Sequence, residues 1–209
     1  LEKELRVQHA RGRIWEKSEV DGIVSRLGPE GVITSIETKQ RVDRPPAPFD
    51  TTSFIAAASG IGLSAANAMR IAEWLYTNGF ISYPRTDNTV YPPSIDLTGL
   101  TRQFLKGAFA QEAARLLQGK MQPTRGKRAT TDHPPIYPTA ALEKGTIKED
   151  QWKVYELVVR RFFATLADAC VWDATSLKVD IGPEPFRANG ARLVEPGWRY
   201  YYPYSKAEE

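Results

Sequence analysis

The chain has 209 residues, a formal net charge of +3 and 42% hydrophobic residues. This length allows one large domain or two small ones with a sizeable core, and the small net charge gives no strong sign of a nucleic-acid partner. The single cysteine, Cys170, excludes an internal disulfide and a cysteine-rich zinc site, so we expect a core thiol. No apolar run reaches the ~20 residues of a membrane span and no signal peptide is visible, which predicts an intracellular protein without a membrane partner. Because the chain begins at Leu1 rather than Met, we also expect a piece of a longer protein.

The first 48 residues predict a short helix, a strand and a stiff connector. Residues 16–27 favour a helix with Ser18 as a candidate cap, and a Gly-Pro pair then breaks it. Residues 32–42 alternate apolar or β-branched side chains with polar ones, which is typical of a half-exposed strand. Three prolines in residues 45–48 predict an extended connector, and we place a domain boundary before it.

A pair of helices separated by a glycine turn follows the connector. Asp50 or Thr51 can cap the first, which runs to Ala58, and Ser64 can cap the second, predicted over residues 65–77. The second helix should bury the apolar residues that recur at helical spacing: Ala68, Ile71, Ala72 and Leu75. An Asn-Gly pair ends it, and an extended segment follows. This order is typical of a helix-turn-helix, although many helical hairpins never touch DNA.

Two further helices are predicted in the next 70 residues. We expect one over residues 95–117, a loop over residues 119–131, and another helix that begins with a capping box at residues 146–149. Large apolar side chains at helical spacing in this last helix should be buried: Trp152, Tyr155, Val159, Phe162, Phe163 and Leu166.

Strands are predicted again near the end of the chain, over residues 176–181, 186–193 and 198–202, with Asn189 and Gly190 as a turn. Strands at both ends and helices between them indicate an α+β fold. We expect a discontinuous antiparallel β arch with an inserted helical, helix-turn-helix-like domain. The predicted domains are 1–44 and 173–209 for the two parts of the β arch, and 45–172 for the helical insert.

The segment Ile81–Asn88 places Tyr83 two residues before Arg85. In an extended chain both side chains point the same way and can face one phosphodiester. A tyrosine hydroxyl has a reference pKa of about 10, so nearby positive charge is needed to favour the phenolate and to neutralise a phosphate under attack. A bare Tyr-x-Arg pattern is more typical of a packed tyrosine beside a solvated arginine, so the flanking residues decide between the two interpretations.

Those flanking residues resemble the type IA DNA topoisomerases. The active-site signature of that family reads Tyr-(Met or Pro)-Arg-Thr-Asp, and this chain has it at residues 83–87. Residues 48–52 and 63–72 are similar to the family's approach to its tyrosine, and residues 132–139 are similar to its histidine motif. Pro84 and the His-Pro-Pro sequence resemble archaeal enzymes, topoisomerase III or the topoisomerase half of reverse gyrase. The resemblance is specific because several motifs occur in the family's order.

The resemblance implies that Tyr83 is a nucleophile that cleaves one DNA strand. It would form a phosphotyrosine link to the 5′ side of the break and leave a free 3′ hydroxyl. Because the link stores the energy of the cut bond, resealing needs no ATP, and strand passage would relax negatively supercoiled DNA. The resemblance makes Arg85 the residue that stabilises the phosphate and His133 a contact to the DNA backbone. From the residues alone, His133 before two prolines is more typical of a structural loop.

Other candidate DNA contacts carry a weaker signal. Lys127 and Arg128, in a loop that also contains Lys120 and Arg125, have the charge needed for phosphate contacts, although a solvated loop explains them equally well. Asp87 could accept a hydrogen bond from Arg85 or cap a turn. The aromatic residues of 198–202 could stack on bases, but packing within a sheet is the more usual role of such residues.

The resemblance also implies a cofactor and a partner outside this chain. Type IA enzymes carry an amino-terminal Toprim domain whose glutamate and Asp-x-Asp pair bind Mg²⁺, and no Asp-x-Asp occurs here. We therefore expect Mg²⁺ in the parent enzyme, no metal site or cofactor in this fragment, and weak or no activity of the fragment alone. The expected partners are the Toprim domain and single-stranded or underwound DNA, at the nucleoid in the cytoplasm.

Two alternatives remain open from the sequence. The chain could be a non-catalytic DNA-binding module of helix-turn-helix type that uses Tyr83 only for packing. It could also belong to the topoisomerase half of reverse gyrase, whose gene would encode an ATP-driven helicase as well.

Overall fold

The computed structural model describes residues 4–205, which form two compact units. The sheet unit comprises residues 4–42 and 171–195, and the helical unit comprises residues 43–170 and 196–205. In the described part of the chain the elements are six α-helices and one four-stranded sheet, so the α+β class and the discontinuous sheet interrupted by helices are confirmed.

The sheet unit contains strands β1 (Gln8–His9), β2 (Gly31–Asp43), β3 (Cys170–Ile181) and β4 (Glu184–Glu195), with helix α1 (Lys17–Arg26). The strand order is β1-β4-β3-β2, and β4 pairs antiparallel with both β1 and β3. The predicted helix and first strand are confirmed to within a residue or two. Ser18 is not the cap, because helix α1 begins after Glu16 without a side-chain cap.

The hairpin between β3 and β4 turns at Gly182, and the predicted turn at Asn189 and Gly190 is wrong. Asn189 and Gly190 lie inside β4, opposite Ser176 and Thr175. Gly182 has φ +63, and a Cβ there would lie 2.5 Å from the carbonyl oxygen of Arg26. Only glycine fits this close approach, so the turn occurs there.

The helical unit contains helices α2 (Thr51–Gly60), α3 (Ala65–Thr77), α4 (Leu97–Gln103), α5 (Ala110–Gln118) and α6 (Glu149–Leu166). Helix α6 is its centre, since α2, α3 and α5 all pack against it. The large apolar side chains predicted to be buried in α6 are all buried. Cys170 is buried in the core, as predicted.

The single helix predicted over residues 95–117 is wrong, because the chain forms α4 and α5 with a break between them. Gly107 lies in the break with φ +82. The break allows both Phe104 and Phe109 to enter the core, where each ring packs edge-on against Phe163. Burial of two aromatic rings outweighs the few helical hydrogen bonds lost.

Two other local predictions are also wrong. Helix α6 begins two residues later than the predicted capping box implies, with Lys148 as its N-cap. The side chain of Gln151 accepts a hydrogen bond from the backbone N–H of Lys148 at 3.0 Å. Residues 198–202 do not form a strand, since a 3₁₀ helix spans Gly197–Tyr200. Trp198 is buried there and donates its indole N–H to the carbonyl of Asp43 at 3.1 Å.

Among the described residues, no single helix has the length and apolar character needed to cross a bilayer. The bent pair α2 and α3 meets that test on length and composition alone.

Candidate active site around Tyr83

Helices α2 and α3 precede Tyr83 in the chain and position the segment that carries it. Asp50 caps α2, its carboxylate accepting from the backbone N–H of Ser53 at 2.8 Å, and Ser64 caps α3. The buried face predicted for α3 is confirmed. After Gly79, with φ +78, the chain becomes extended, and Ile81 forms an isolated antiparallel bridge with Pro138. Tyr83 therefore follows directly from a packed helix and a paired segment.

Ser82 joins the tyrosine segment to the segment that follows His133. Its hydroxyl donates to the carbonyl of Pro135 at 2.8 Å and accepts from the N–H of Tyr137 at 3.0 Å. Its own N–H donates to the carbonyl of Tyr137 at 2.9 Å. Ser82 is buried, so these hydrogen bonds are shielded from water and fix the two motifs against each other.

Thr51, at the start of α2, holds the other end of the tyrosine segment. Its hydroxyl donates to the carbonyl of Pro84 at 2.8 Å and accepts from the N–H of Thr86 at 2.9 Å. The backbone N–H of Thr51 also donates to the carbonyl of Thr86 at 2.9 Å. The backbone on both sides of Arg85 is thus fixed by one residue.

The ring of Tyr83 lies between two other rings. The His133 ring centroid is 4.6 Å away at a tilt of 51°, and the Tyr76 centroid is 5.1 Å away in an edge-on arrangement. Tyr83 is partly exposed, and Tyr76 comes from the outer face of α3. Although His133 is fifty residues later in the sequence, the fold places it in direct contact with Tyr83.

Arg85 is exposed and pairs with Glu73 of α3. Its Nε donates to the carboxylate of Glu73 at 3.0 Å, and its Nη2 donates to the same oxygen. This hydrogen bond, together with the charge of Glu73, raises the pKa of Arg85 above its usual range, so the guanidinium stays protonated. The Nη1–Nη2 edge of its planar fork is not used in this pairing and can receive another anion.

From the sequence, Asp87 is a candidate acceptor for Arg85 or a candidate turn cap, but the structure gives it another partner. It accepts a hydrogen bond from Nη1 of Arg128 at 2.8 Å, whereas Arg85 pairs with Glu73. This ion pair brings Arg128 to the tyrosine segment. Lys127 is exposed in the same loop.

Asn88, to which the sequence assigned no role, fixes the loop that carries His133. Its amide donates to the carbonyls of Thr130 and His133 at 2.9 and 3.0 Å, and its oxygen accepts from the N–H of Val90 at 2.9 Å. Asn88 is 3% exposed. Sequence reasoning missed it, as it missed Thr51 and Ser82, because a single polar residue in a motif gives no sign of its partners.

An open pocket of about 500 Å³ lies beside these residues. Arg85 and His133 both line it, together with Thr51, Thr52, Thr86, Asp87, Thr130 and Asp132. A cationic fork, an imidazole and several hydroxyls around one open cavity are groups that can bind a phosphate. Tyr83, Lys127 and Arg128 are not among the lining residues.

A family model described as DNA topoisomerase matches residues 2–209. This chain belongs to the type IA DNA topoisomerase family. It is 47% identical over 198 residues to DNA topoisomerase 1 of Archaeoglobus fulgidus, covering 94% of this chain and 30% of that protein. It is 32% identical over 193 residues to DNA topoisomerase 3-beta-1 of Mus musculus, covering 91% of this chain and 22% of that protein.

The fold agrees with a solved topoisomerase. The full-length topoisomerase I of Thermotoga maritima superposes with a TM-score of 0.68 at 23% identity, over 93% of this chain and 33% of that one. The chain therefore spans about a third or less of the length of these topoisomerases.

Within residues 4–205 of this topoisomerase chain, no group of three or more His, Cys, Asp or Glu side chains is arranged to hold a metal ion. Asp87 and Asp132 line the pocket, but Asp87 is paired with Arg128. These residues do not fit a Mg²⁺ site by themselves.

Proposed function

We propose that this chain is the tyrosine-bearing part of a DNA topoisomerase, in which Tyr83 cleaves and reseals one DNA strand. The observation that carries the proposal is the convergence of two motifs. Tyr83 and His133 have their rings 4.6 Å apart, and His133 and Arg85 line one open pocket. Tyr83 does not itself line the pocket, but its ring contacts His133, which does, so a phosphate bound there would lie near both a nucleophile and a cation.

In the cleavage step, the phenol of Tyr83 loses its proton and its Oη forms a bond to the phosphorus. The bond from that phosphorus to the 3′ oxygen breaks, and the 3′ oxygen takes up a proton to become a hydroxyl. The 5′ side of the break stays linked to Tyr83. Because one phosphodiester replaces another, the reverse attack by the 3′ hydroxyl reseals the strand without ATP.

Arg85 is proposed to stabilise the phosphate during this transfer. The charge on the non-bridging oxygens must be neutralised by groups already in place, and a guanidinium offers two parallel donors to two of those oxygens. Since Glu73 uses one edge of Arg85, it also holds the fork in a defined orientation.

His133 is proposed to contact the DNA backbone next to the cleaved phosphate. It is exposed, lines the pocket and is held by hydrogen bonds from Asn88 and Thr86 to its carbonyl. Arg128 and Lys127 are proposed as more peripheral phosphate contacts. Arg128 is the better placed, because its pairing with Asp87 brings it to the tyrosine segment.

The substrate proposed for the whole enzyme is single-stranded or underwound DNA, whose negative supercoils it would relax. Mg²⁺ bound by a Toprim domain is proposed to supply further charge neutralisation. The described residues of this chain form no metal site of their own. Location at the nucleoid remains a prediction.

A second candidate function is a DNA-binding module without catalysis. Helices α2 and α3 are bent by 116° about a four-residue turn that contains Gly62, which is the geometry of a helix-turn-helix. In that case Tyr83 would serve only in ring packing.

A covalent-trapping assay with 5′- and 3′-labelled single-stranded DNA separates the two candidates. The chain is tested with a separately supplied Toprim fragment and Mg²⁺, and compared with Tyr83→Phe and the matched control Tyr76→Phe. We expect a denaturant-resistant adduct that Tyr83→Phe abolishes and Tyr76→Phe retains. DNA binding by a folded chain with no adduct, or an adduct that persists in Tyr83→Phe, would overturn the topoisomerase proposal.

A further inference from the structure

Trp15 is the most exposed of the five tryptophans, followed by Trp74 at 36%. It lies in the loop of residues 10–16 between β1 and α1, here called the Trp15 loop, and its side chain is 78% exposed. Trp152, Trp172 and Trp198 are all buried. Burial of an indole ring is among the largest apolar contributions that a side chain can make to folding, and an exposed ring does not make it. The sheet unit therefore does not use Trp15 for its own core.

The ring of Trp15 is covered on one side by a cation rather than by apolar atoms. The guanidinium carbon of Arg13 lies 4.6 Å from the ring centroid, and Arg13 is itself exposed. This stacking orients the ring and leaves most of its surface open to solvent. An oriented, exposed aromatic ring beside a guanidinium is a platform for another flat group.

The residues around Trp15 are mainly basic. Over residues 5–17 there are four basic side chains, Arg6, Arg11, Arg13 and Lys17, and one acidic side chain, Glu16. Arg11 is paired with Glu19 of α1, so the excess comes from Arg6, Arg13 and Lys17 against Glu16, three positive charges and one negative. An apolar protein partner would not be matched by this charge, whereas a polyanion with flat, unpaired bases matches both the ring and the cations.

We propose that the Trp15 loop is a second single-strand binding site, in which Trp15 stacks on an unpaired base and Arg13 and its basic neighbours contact the flanking phosphates. The choice of a nucleic-acid ligand rests on the proposed function, but this site takes no part in the chemistry of Tyr83. Because stacking needs a free base face, the site selects single-stranded over double-stranded nucleic acid. It reads no particular sequence, since every base has such a face.

The test is binding of a fluorescent 20-nucleotide mixed-sequence single strand, and of its duplex, to the chain and its variants. Trp15→Leu keeps apolar bulk but removes the stacking ring, whereas Trp15→Phe keeps a ring. We expect Trp15→Leu to weaken single-strand binding by about tenfold and Trp15→Phe by at most about threefold, with duplex binding changed little by either. Arg13→Ala should lower the slope of log affinity against log salt by about 0.7.

Leu5→Ala is the control, because Leu5 is also exposed in the same region but has no ring. It should leave single-strand affinity within about twofold of the unmodified chain, a factor worth less than 0.5 kcal/mol. Affinity of Trp15→Leu within about twofold of the unmodified chain would overturn the proposal, as would an equal loss in Leu5→Ala.

The two proposals fail separately. A Tyr83 adduct with no effect of Trp15→Leu on binding would remove the second site and leave the topoisomerase proposal intact. Loss of single-strand binding in Trp15→Leu without any Tyr83 adduct would support the second site and overturn the topoisomerase proposal.

Discussion

Helix α6 and strand β2 differ sharply in how they are held. Eleven of the eighteen residues of α6 are buried, whereas none of the thirteen residues of β2 is buried. Helix α6 is thus fixed by side-chain packing, and β2 is fixed mainly by hydrogen bonds to its neighbour β3. The difference indicates that a rigid core supports the tyrosine segment, while β2 presents its side chains to solvent on both faces.

The same difference separates the two proposed DNA contacts. Tyr83 and His133 are positioned by buried hydrogen bonds from Ser82 and Asn88, which suits a reaction that needs fixed geometry. Trp15 is positioned by one exposed cation, which suits a contact that tolerates any base.

The largest expected effect on stability is in the core of the helical unit. Phe163 is 1% exposed and packs against Phe104, Phe109 and Tyr201, so Phe163→Ala should lower the free energy of unfolding by about 3–5 kcal/mol. Ile36→Ala in β2, at an exposed position, should change it by no more than about 0.5 kcal/mol. Urea titration followed by hydrogen exchange in each unit measures both. If both variants lowered the free energy of unfolding by similar amounts, the stated difference between the helical core and β2 would be wrong.

A smaller effect is expected at Asn88. Asn88→Ala removes three hydrogen bonds: the Thr130 carbonyl and the Val90 N–H lose this partner, and the His133 carbonyl keeps only its bond from Thr86. This loss should cost about 1–3 kcal/mol. We also expect faster amide exchange in residues 128–134 and a lower yield of the Tyr83 adduct. Asn67→Ala, at a half-exposed position on α3 where the amide accepts from the exposed Arg70, is the matched control and should change neither quantity. A His133 loop that exchanges no faster in Asn88→Ala would contradict the positioning role.

A smaller effect again is expected from the helix caps of the two units. Asp50→Ala removes the capping box of α2 and should lower the free energy of unfolding of the helical unit by about 1 kcal/mol. Ser18→Ala in α1 should have almost no effect, because Ser18 caps nothing in the structure. Thermal or urea unfolding of the two variants tests this, and an equal loss from both would show that α1 is capped by Ser18 after all.

The smallest expected effect is a pH dependence of the sheet unit. Hydrogen bonds from His9 at 3.0 Å and from Arg26 at 2.6 Å lower the pKa of Glu184. A carboxylate with a lowered folded-state pKa contributes stability above its unfolded pKa of about 4.3, and this contribution is lost as the pH falls through the folded value. Protection of the β1 and β4 amides, measured against their intrinsic exchange rate at each pH, should therefore fall below about pH 4. Glu184→Gln should exchange faster at neutral pH and lose this pH dependence, whereas an unchanged pH profile would refute the linkage.

Much of the fold is predictable from the sequence, because strong local signals agree with tertiary packing. The caps Asp50 and Ser64 and the buried face of α3 were all predictable, since each follows from spacing within one helix. The break between α4 and α5 was not, because it depends on Phe104 and Phe109 reaching Phe163 far along the chain.

The candidate site divides in the same way. The motif residues Tyr83, Arg85 and His133 could be selected by their resemblance to a known family, but their partners could not. Glu73 and Asn88 act through contacts between residues 12 to 45 positions apart, which no local pattern reveals. For the same reason the turn signal of Asn189 and Gly190 misleads, because strand register and the close approach at Gly182 decide where the hairpin turns.

The most direct test of the account is to identify the residue and the DNA end joined in the trapped adduct. The adduct formed with Toprim fragment, Mg²⁺ and single-stranded DNA is digested with protease and nuclease, and the modified peptide is fragmented by mass spectrometry. The account predicts a 5′-phosphonucleotide on Tyr83 and an unmodified Tyr76, whose ring lies only 5.1 Å away. Modification of Tyr76 or of any other residue, or a link to a 3′ phosphate, would contradict it.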